Sequence, residues 1–585
     1  MSQQELIASL PAHLRQFVKL QDYNQYTPRD HAVWRFLLLS LASHMAQHAH
    51  PVYLEGLRKT GISLDQIPSI DDMNQCLQRI GWQAVVVDGF IPPAIFMEFQ
   101  ARKILVIALD MRSVHHMLYT PAPDIVHESA GHAPFIVDVD YAEFLQRFGE
   151  IGMKALSTAS DYAVYEAIRH LSIVKESPRS TEQDIAQAES HLQQALATNS
   201  QEKPSEASLL SRLHWWTVEY GLVGEVDNYK IFGAGLLSSL GEGVNCTDDT
   251  RVRKLPLTVD AINTPYDITR EQPQLFVTKS CKHLTQVLET FAHGMAYRKG
   301  GAGSLRKAIE CQTVNTAVYN SGLQISGKFV RVLTDAMDNV IYLGTEGPTQ
   351  LAWGNRELHG HSTDYHAEGF GSPVGKIKDM PRCLSEYTID EMKAVGIAVG
   401  QPVVLDFVSG VRVTGQLDHI ERRDHKNILF SFSQCRVTGP VKPDGAEGDV
   451  LFDPAWGNYD MAVGDRIVSV FGGTADKDRY RLYQHAPAEQ TQRVHHSTEE
   501  ALLFALYQEL RDLRNAGQAN EAALAAVLDK LSDYPEEWLL RFEILELLPP
   551  DSAMAGELRN GLVSLQTLSP EHERLIQTGI ERLGR

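Results

Sequence analysis

Cysteine is scarce in this sequence. There are six in 585 residues, Cys76, Cys246, Cys281, Cys311, Cys383 and Cys435, and no C-x-x-C pair among them. That spacing excludes a disulfide scaffold and a cysteine-ligated zinc site. Long hydrophobic runs are lacking too. The longest, Phe36 to Ala42, is far short of the ~20 residues a membrane span needs. The opening MSQQELIASLPAHLRQF has no basic stretch leading into an apolar core, so no secretory signal is read there. Positive charge is in deficit: 54 Lys and Arg stand against 74 Asp and Glu, a net charge of −20. Such a surface repels phosphate backbones and anionic lipids, so neither nucleic acid nor a membrane is an expected partner. The expected location is the cytoplasm. What is present, 43% hydrophobic and 22% charged residues, suits a globular chain and excludes a largely disordered one. The length corresponds to about two to four domains.

Helical periodicity runs from Asp30 to about Arg79, and short β-rich runs follow at Ala84–Val87 and Lys103–Leu109. Beyond Pro121 and Pro123, a helix is expected from near Asp124 toward Ile151. Ser180 and Gln183 have the spacing of a capping box ahead of an Ala/Gln-rich helix. After about Ile325 the text changes to KFVRVL, NVIYLG, QPVVLDFV, NILFSF and RIVSVFGG, separated by Gly, Asp and Pro, which predicts a β-rich module. ADKDRYRLYQHAPAEQTQRVHH reads as a linker. Ser497 and Glu500 then cap the first of several amphipathic helices, taken as a small bundle with its own core.

The segment richest in chemistry is Pro123-Asp-Ile-Val-His-Glu-Ser-Ala-Gly-His-Ala-Pro134. His127 and His132 are five apart, not the four that share a face of an α-helix. In ideal α-geometry they would diverge by roughly 140°, so a shared ion requires local irregularity, which Gly131 can supply. A second segment, Leu213-His-Trp-Trp-Thr-Val-Glu-Tyr-Gly-Leu222, sets Glu219 among apolar and aromatic residues, where a carboxylate needs a strong partner. Two imidazoles and one carboxylate make the facial triad of mononuclear non-haem iron(II) enzymes. A third, Gly233-Ala-Gly-Leu-Leu-Ser-Ser-Leu-Gly-Glu242, lacks the third glycine of a dinucleotide fingerprint. Its small residues suit a backbone lying close to a ligand. His359, His361 and His366 in ELHGHSTDYHAEGF read as an exposed polar loop, and His115, His116, His495 and His496 as ordinary loop histidines.

PDIVHESAGH, WWTVEYGL and IFGAGLLSS, in this order, resemble the pterin-dependent aromatic amino acid hydroxylases over roughly residues 20–325. The resemblance implies that His127, His132 and Glu219 bind Fe(II) and carry catalysis. It places Phe96 and Glu128 at the pterin, and Arg112, Thr120, Pro121, Asp124, Trp215, Gly235, Ser238 and Ser239 at the substrate. Tyr119 joins the substrate side, Arg112 takes the substrate carboxylate with Asp124 orienting it, and Ser238 supports an iron-ligand histidine. The implied cofactors are Fe(II), a tetrahydropterin cosubstrate (tetrahydrobiopterin or a bacterial-type analogue) and O2. The implied reaction is ring hydroxylation of an aromatic amino acid, L-phenylalanine to L-tyrosine first, with tyrosine or tryptophan as alternative substrates. More distant alternatives are a zinc hydrolase and a non-catalytic regulatory homologue. The sequence departs from the family pattern at Ser129 and Ala130, which replace bulky aliphatic residues. His214 stands where the animal enzymes carry tyrosine.

The expected architecture is multidomain. A mostly α-helical catalytic domain of the hydroxylase type covers 1–325, with a helical insertion at about 155–208. A β-rich module follows over 326–480, then a C-terminal helical domain over 497–585. Residues 326–585 are expected to supply no iron ligand and to serve stability, assembly as an oligomer, or a protein partner.

Overall fold

A computed structural model of the chain describes residues 2–87, 89–114, 117–118, 124–176, 180–268, 270–442, 446–483 and 496–584. The N-terminal half is built around the helix Pro28–His48. It is opened by Thr27, whose side chain accepts from the Asp30 amide while Asp30 returns the bond, and by Pro28 in its first turn. Beside it the strands Gln83–Val87 and Ile104–Ala108 pair in parallel, edged by Val18–Lys19. Their side chains alternate between two cores. Ala84, Val86, Leu105 and Ile107 join the large central cluster, while Val85, Val87, Ile104 and Val106 pack with Leu6, Leu14, Ile95 and Phe99. A sheet buried on both faces reads as the continuous apolar runs seen in the sequence. A second sheet, ordered Asn228–Ile231, Leu222–Glu225, Gln274–Thr278, Arg253–Pro256, lies behind the segment carrying Glu219.

The helix expected from Asp124 to Ile151 is three pieces: a π-helix Val126–His132, a 3-10 helix Ala133–Val137, and an α-helix Val139–Gly152 capped by Asp138. Pro134 has no amide to donate, which breaks the ladder between them. The helix after Ser180 is capped one residue later than the sequence suggested, by Thr181 in a box with Asp184. It pairs with Ala159–Glu176 as a helical hairpin.

The β-rich runs fall on two sheets. One is ordered Arg356–Glu357, Val340–Trp353, Leu323–Thr334, Val314–Tyr319, Ile467–Gly472, with Gly371–Pro373 beside Val340–Trp353. The other is ordered Gln401–Asp406, Arg412–Arg423, Lys426–Thr438, Val450–Phe452, with Tyr459–Ala462 on the other side of Lys426–Thr438. The first sheet begins at Val314, upstream of residue 325, and Leu323–Thr334 runs through that position.

Two expectations for the C-terminal half are corrected. The segment read as a linker is docked where it is described. Lys477 reaches Glu98 at 2.8 Å, Asp478 reaches His13 at 2.7 Å, and Tyr483 packs on the core that contains Phe99. The C-terminal helices do not bury a core of their own. Leu503, Tyr507, Trp538, Phe542 and Ile576 belong to the same cluster as Trp34, Phe36 and Leu37. Phe36 sits edge-on to Trp538 and Phe542 at 5.2 Å each. Arg35 reaches across to Glu543 and Glu546. A helical patch with a broad apolar face has to bury it somewhere, and here Pro28–His48 is the partner. The helix Ala553–Leu565 went unread in the sequence because its apolar positions are diluted by Gly556, Asn560 and Gly561. No described helix is long and apolar enough to cross a membrane.

Candidate metal and substrate site

The π-helix resolves the five-residue spacing. Its i→i+5 bonding pattern puts His127 and His132 on one face, Nε2 to Nε2 at 3.1 Å with the rings nearly perpendicular. A second π-helix, Trp215–Glu219, brings Glu219 to them. Its Oε2 is 3.2 Å from His127 Nε2 and its Oε1 is 3.4 Å from His132 Nε2. Three donors so spaced match the edges of a face shared by ligands about 2.1 Å from one ion. The set is two neutral nitrogens and one carboxylate, which fits Fe(II) and leaves other positions open. Burial alone would raise the Glu219 carboxyl; the charge and hydrogen bonds of His132 and His127 in protonated form outweigh it, a part that a bound cation takes when both rings ligate as neutral imidazoles.

Close packing of small residues holds the two π-helices together. A Cβ on Gly131 would meet the Ala234 carbonyl oxygen at 2.7 Å, and one on Gly233 would meet the Glu219 carbonyl oxygen at 2.5 Å. On Gly235 it would lie 3.0 Å from the Tyr220 ring and 3.1 Å from the Glu219 carbonyl oxygen. The short helix Ala234–Leu237 is thereby seated against both ligand-bearing segments. At its end, the Ser238 hydroxyl donates to the Ala234 carbonyl at 2.7 Å and lies 3.1 Å from His127 Nδ1. A hydroxyl has one hydrogen, so toward His127 it accepts. That fixes the proton on Nδ1 and leaves the Nε2 lone pair facing Glu219 and His132. The Ser239 hydroxyl accepts from the Glu242 amide and pins the next turn.

Arg112 and Asp124 form a buried two-point pair, Nε to Oδ2 at 2.6 Å and Nη2 to Oδ1 at 2.8 Å. Asp124 also accepts from the Arg112 and His127 amides. Burial pushes the Asp124 carboxyl up, but Arg112 and these donors outweigh it and hold it below its ordinary value. The Nε/Nη2 side of the guanidinium is therefore taken. Nη1 donates to the Ser238 carbonyl at 3.4 Å. Glu128 is buried with Oε2 3.9 Å from His132 Nε2, and burial pushes its carboxyl up to about 8.

Trp215 stacks on Tyr220 at 4.6 Å and on Tyr266 at 4.3 Å. Its indole N–H has no partner among the described residues. Phe96, on the helix Pro93–Ala101, meets the His214 ring edge-on at 6.0 Å. Thr120, Pro121 and Tyr119 lie outside the described residues, as do His115, His116 and His495.

Sequence reasoning treated His214 only as a departure from the family pattern. The structure brings it into the site: Nδ1 is 3.7 Å from Glu219 Oε1, and Nε2 is buried without a partner among the described residues. Burial lowers its pKa to about 4, so the ring is neutral. The signal was in the text, since His214 and Glu219 are five apart, as His127 and His132 are. The stacking partners Tyr220 and Tyr266 carried no such signal.

This donor set is the two-histidine, one-carboxylate triad of non-haem iron(II) oxygenases. Residues 2–175 and 163–300 match the biopterin-dependent aromatic amino acid hydroxylases, and the chain belongs to that family. It is similar to the phenylalanine-4-hydroxylase of Chromobacterium violaceum, 27% identical over 270 residues, which span 46% of this chain and 75% of the relative. It is likewise similar to that of Pseudomonas aeruginosa, 28% identical over 265 residues, or 45% and 83%. A crystal structure of the C. violaceum phenylalanine hydroxylase, with bound iron(III) and 7,8-dihydrobiopterin, aligns at 25% identity with a TM-score of 0.38. That alignment covers 50% of this chain and 90% of that one.

Proposed function

We propose that the chain is a phenylalanine 4-monooxygenase, using Fe(II), a tetrahydropterin and O2 to convert L-phenylalanine to L-tyrosine. The observation that carries this reading is the convergence of His127, His132 and Glu219 from two π-helices, with donors 3.1–3.4 Å apart, in a chain of the biopterin-dependent family. The choice of phenylalanine is supported by the relatives, which carry that activity in their names at 27–28% identity.

In this reading His127, His132 and Glu219 hold the iron, and Ser238 keeps His127 in the tautomer that can ligate. Iron and pterin, when bound, supply the activation of O2. Arg112 offers its Nη1 edge to the substrate carboxylate, locked in place by Asp124. Phe96 and Glu128 face the pterin. Trp215, Gly235, Ser238 and Ser239, with Thr120 and Pro121, line the amino acid. Since Trp215 has ring faces engaged by Tyr220 and Tyr266, it presents its edge to the substrate ring, the favoured aromatic geometry. The aromatic lining keeps water from the reacting atoms. The β-rich region from Val314 onward and the C-terminal helices from Thr498 serve stability and assembly and supply no iron ligand.

The test is amino acid analysis of reactions holding the purified chain, Fe(II), tetrahydrobiopterin, air and one of the three aromatic amino acids. Tyrosine from phenylalanine, dependent on the pterin, is the expected product. Preferential hydroxylation of tyrosine or tryptophan would reassign the substrate.

A further inference from the structure

We propose that His361, His366 and Asp460 form a second metal site, which takes one divalent transition-metal ion of the zinc type and staples the two sheets of the β-rich region together. Read from sequence, these histidines sit in an exposed polar loop. Instead His366 and Asp460 are only 8% and 6% exposed, and His361 is half-buried.

The donor atoms converge. His361 Nδ1 is 3.2 Å from His366 Nε2 and 3.8 Å from Asp460 Oδ2, and the three ligand atoms lie within 4.8 Å of one another. Tetrahedral ligands about 2.0–2.2 Å from zinc are separated by about 3.4 Å. Two neutral imidazoles and one carboxylate leave a fourth position for water. Thiolate plays no part, so the site belongs to the N/O class.

The surroundings are built to aim these atoms. Ser431, opposite Asp460 in the strand pair, donates its hydroxyl to Oδ1 at 2.5 Å, and Oδ2 is the oxygen that lies 3.8 Å from His361 Nδ1. Such an outer partner is typical of a ligating carboxylate. The His361 and His366 carbonyls accept from the amides of Leu351 and Thr349, so the strand Val340–Trp353 fixes both backbones. Tyr365 and Phe370 stand edge-on to His366 at 4.7 and 5.4 Å and hold its ring in place. The histidines hang from one sheet, and Asp460 sits on Tyr459–Ala462 of the other. One ion would therefore cross-link residues far apart in sequence, and its binding energy adds to folding.

The experiment uses the full chain, stripped with a chelator and titrated with Co2+ and then Zn2+. The forms compared are the wild type, H127A/H132A and H361A/H366A. Expected are two Co2+ per wild-type chain and one in each double variant. In H127A/H132A the remaining Co2+ should give visible absorption and raise the melting temperature. H361A/H366A should keep its hydroxylase activity when Fe(II) is supplied. If H361A/H366A does not fold, H366Q, which keeps a hydrogen-bonding side chain, is read in its place, with the same loss of one ion expected. The proposal is overturned if H127A/H132A, folded by circular dichroism, takes up neither metal at micromolar concentration. The three groups would then be a hydrogen-bonded cluster only.

Discussion

Arg112 shows what a single residue can and cannot tell from sequence. Its chemistry, a planar fork suited to a carboxylate, was legible. Its occupancy was not: the Nε/Nη2 side is held by Asp124, twelve residues away, across a segment with no periodicity to reveal the pairing. Lysine at this position keeps the charge but loses the two-point lock and the Nη1 edge. Arg112→Lys is expected to lower kcat/KM for the amino acid by roughly 1–3 kcal/mol, about five- to 150-fold, with the pterin KM little changed. Steady-state kinetics with each substrate varied checks it, and an unchanged kcat/KM for phenylalanine would remove Arg112 from the substrate site. Residue identity likewise pointed to His127, His132 and Glu219, because a carboxylate in an aromatic run needs a partner. It passed over Tyr266, since a tyrosine in a loop announces nothing until stacking is seen.

At the scale of elements, the informative anomaly was spacing. A spacing of i to i+5 between the histidines conflicts with an α-helix, and the conflict marks the π-helix Val126–His132. Local bonding energy favours the α form, so the i→i+5 register persists because tertiary packing holds it. Apolar runs and capping residues made the helix Pro28–His48, the strands Gln83–Val87 and Ile104–Ala108 and the first C-terminal helix, Thr498–Asn515, legible. The polar strand Arg412–Arg423 was not, since half of it faces solvent beside an apolar neighbour. Gly131 is where the first π-helix meets the short helix Ala234–Leu237 that is seated against both ligand-bearing segments, with the Ala234 carbonyl oxygen 2.7 Å from any added Cβ. Gly131→Ala suits a helical backbone yet overpacks the contact. A loss of roughly 1–3 kcal/mol in stability is expected, together with weaker iron retention, because the π-helices are pushed apart. Thermal unfolding and iron content of the purified variant measure both. A variant with unchanged melting temperature and full iron would show that the contact relaxes freely.

Across the whole molecule, the C-terminal half is tied to the N-terminal half at several places, and two of them show why such ties were not legible. Amphipathic helices show that a face is buried but not against what, so the shared core of Phe36, Trp538 and Phe542 could not be read from period alone. The second tie is Glu98, with 4% of its side chain exposed, which joins His13 and Lys477. Burial alone would raise its carboxyl, but the His13 hydrogen bond and the Lys477 charge outweigh it and hold it well below the ordinary 4.5. A depressed carboxyl stabilises the fold above its unfolded pKa, and that contribution fades as pH falls through the folded value. Glu98→Gln is therefore expected to be less stable than wild type at pH 7, by roughly 1–3 kcal/mol. The gap should narrow progressively below about pH 4.5. Urea unfolding at pH 7 and at pH 3.5 follows it; a gap that stays constant would mean that the charge on Glu98 is not what matters.

Hydroxylation that consumes a tetrahydropterin requires one ion held by His127, His132 and Glu219. Iron content and tyrosine formation, measured together in wild type and in folded Glu219→Ala, test this most directly. The wild type is expected to hold iron at this site and to form tyrosine only with tetrahydropterin present, whereas Glu219→Ala should lose that iron and form none. Full iron and undiminished tyrosine formation in Glu219→Ala would contradict it.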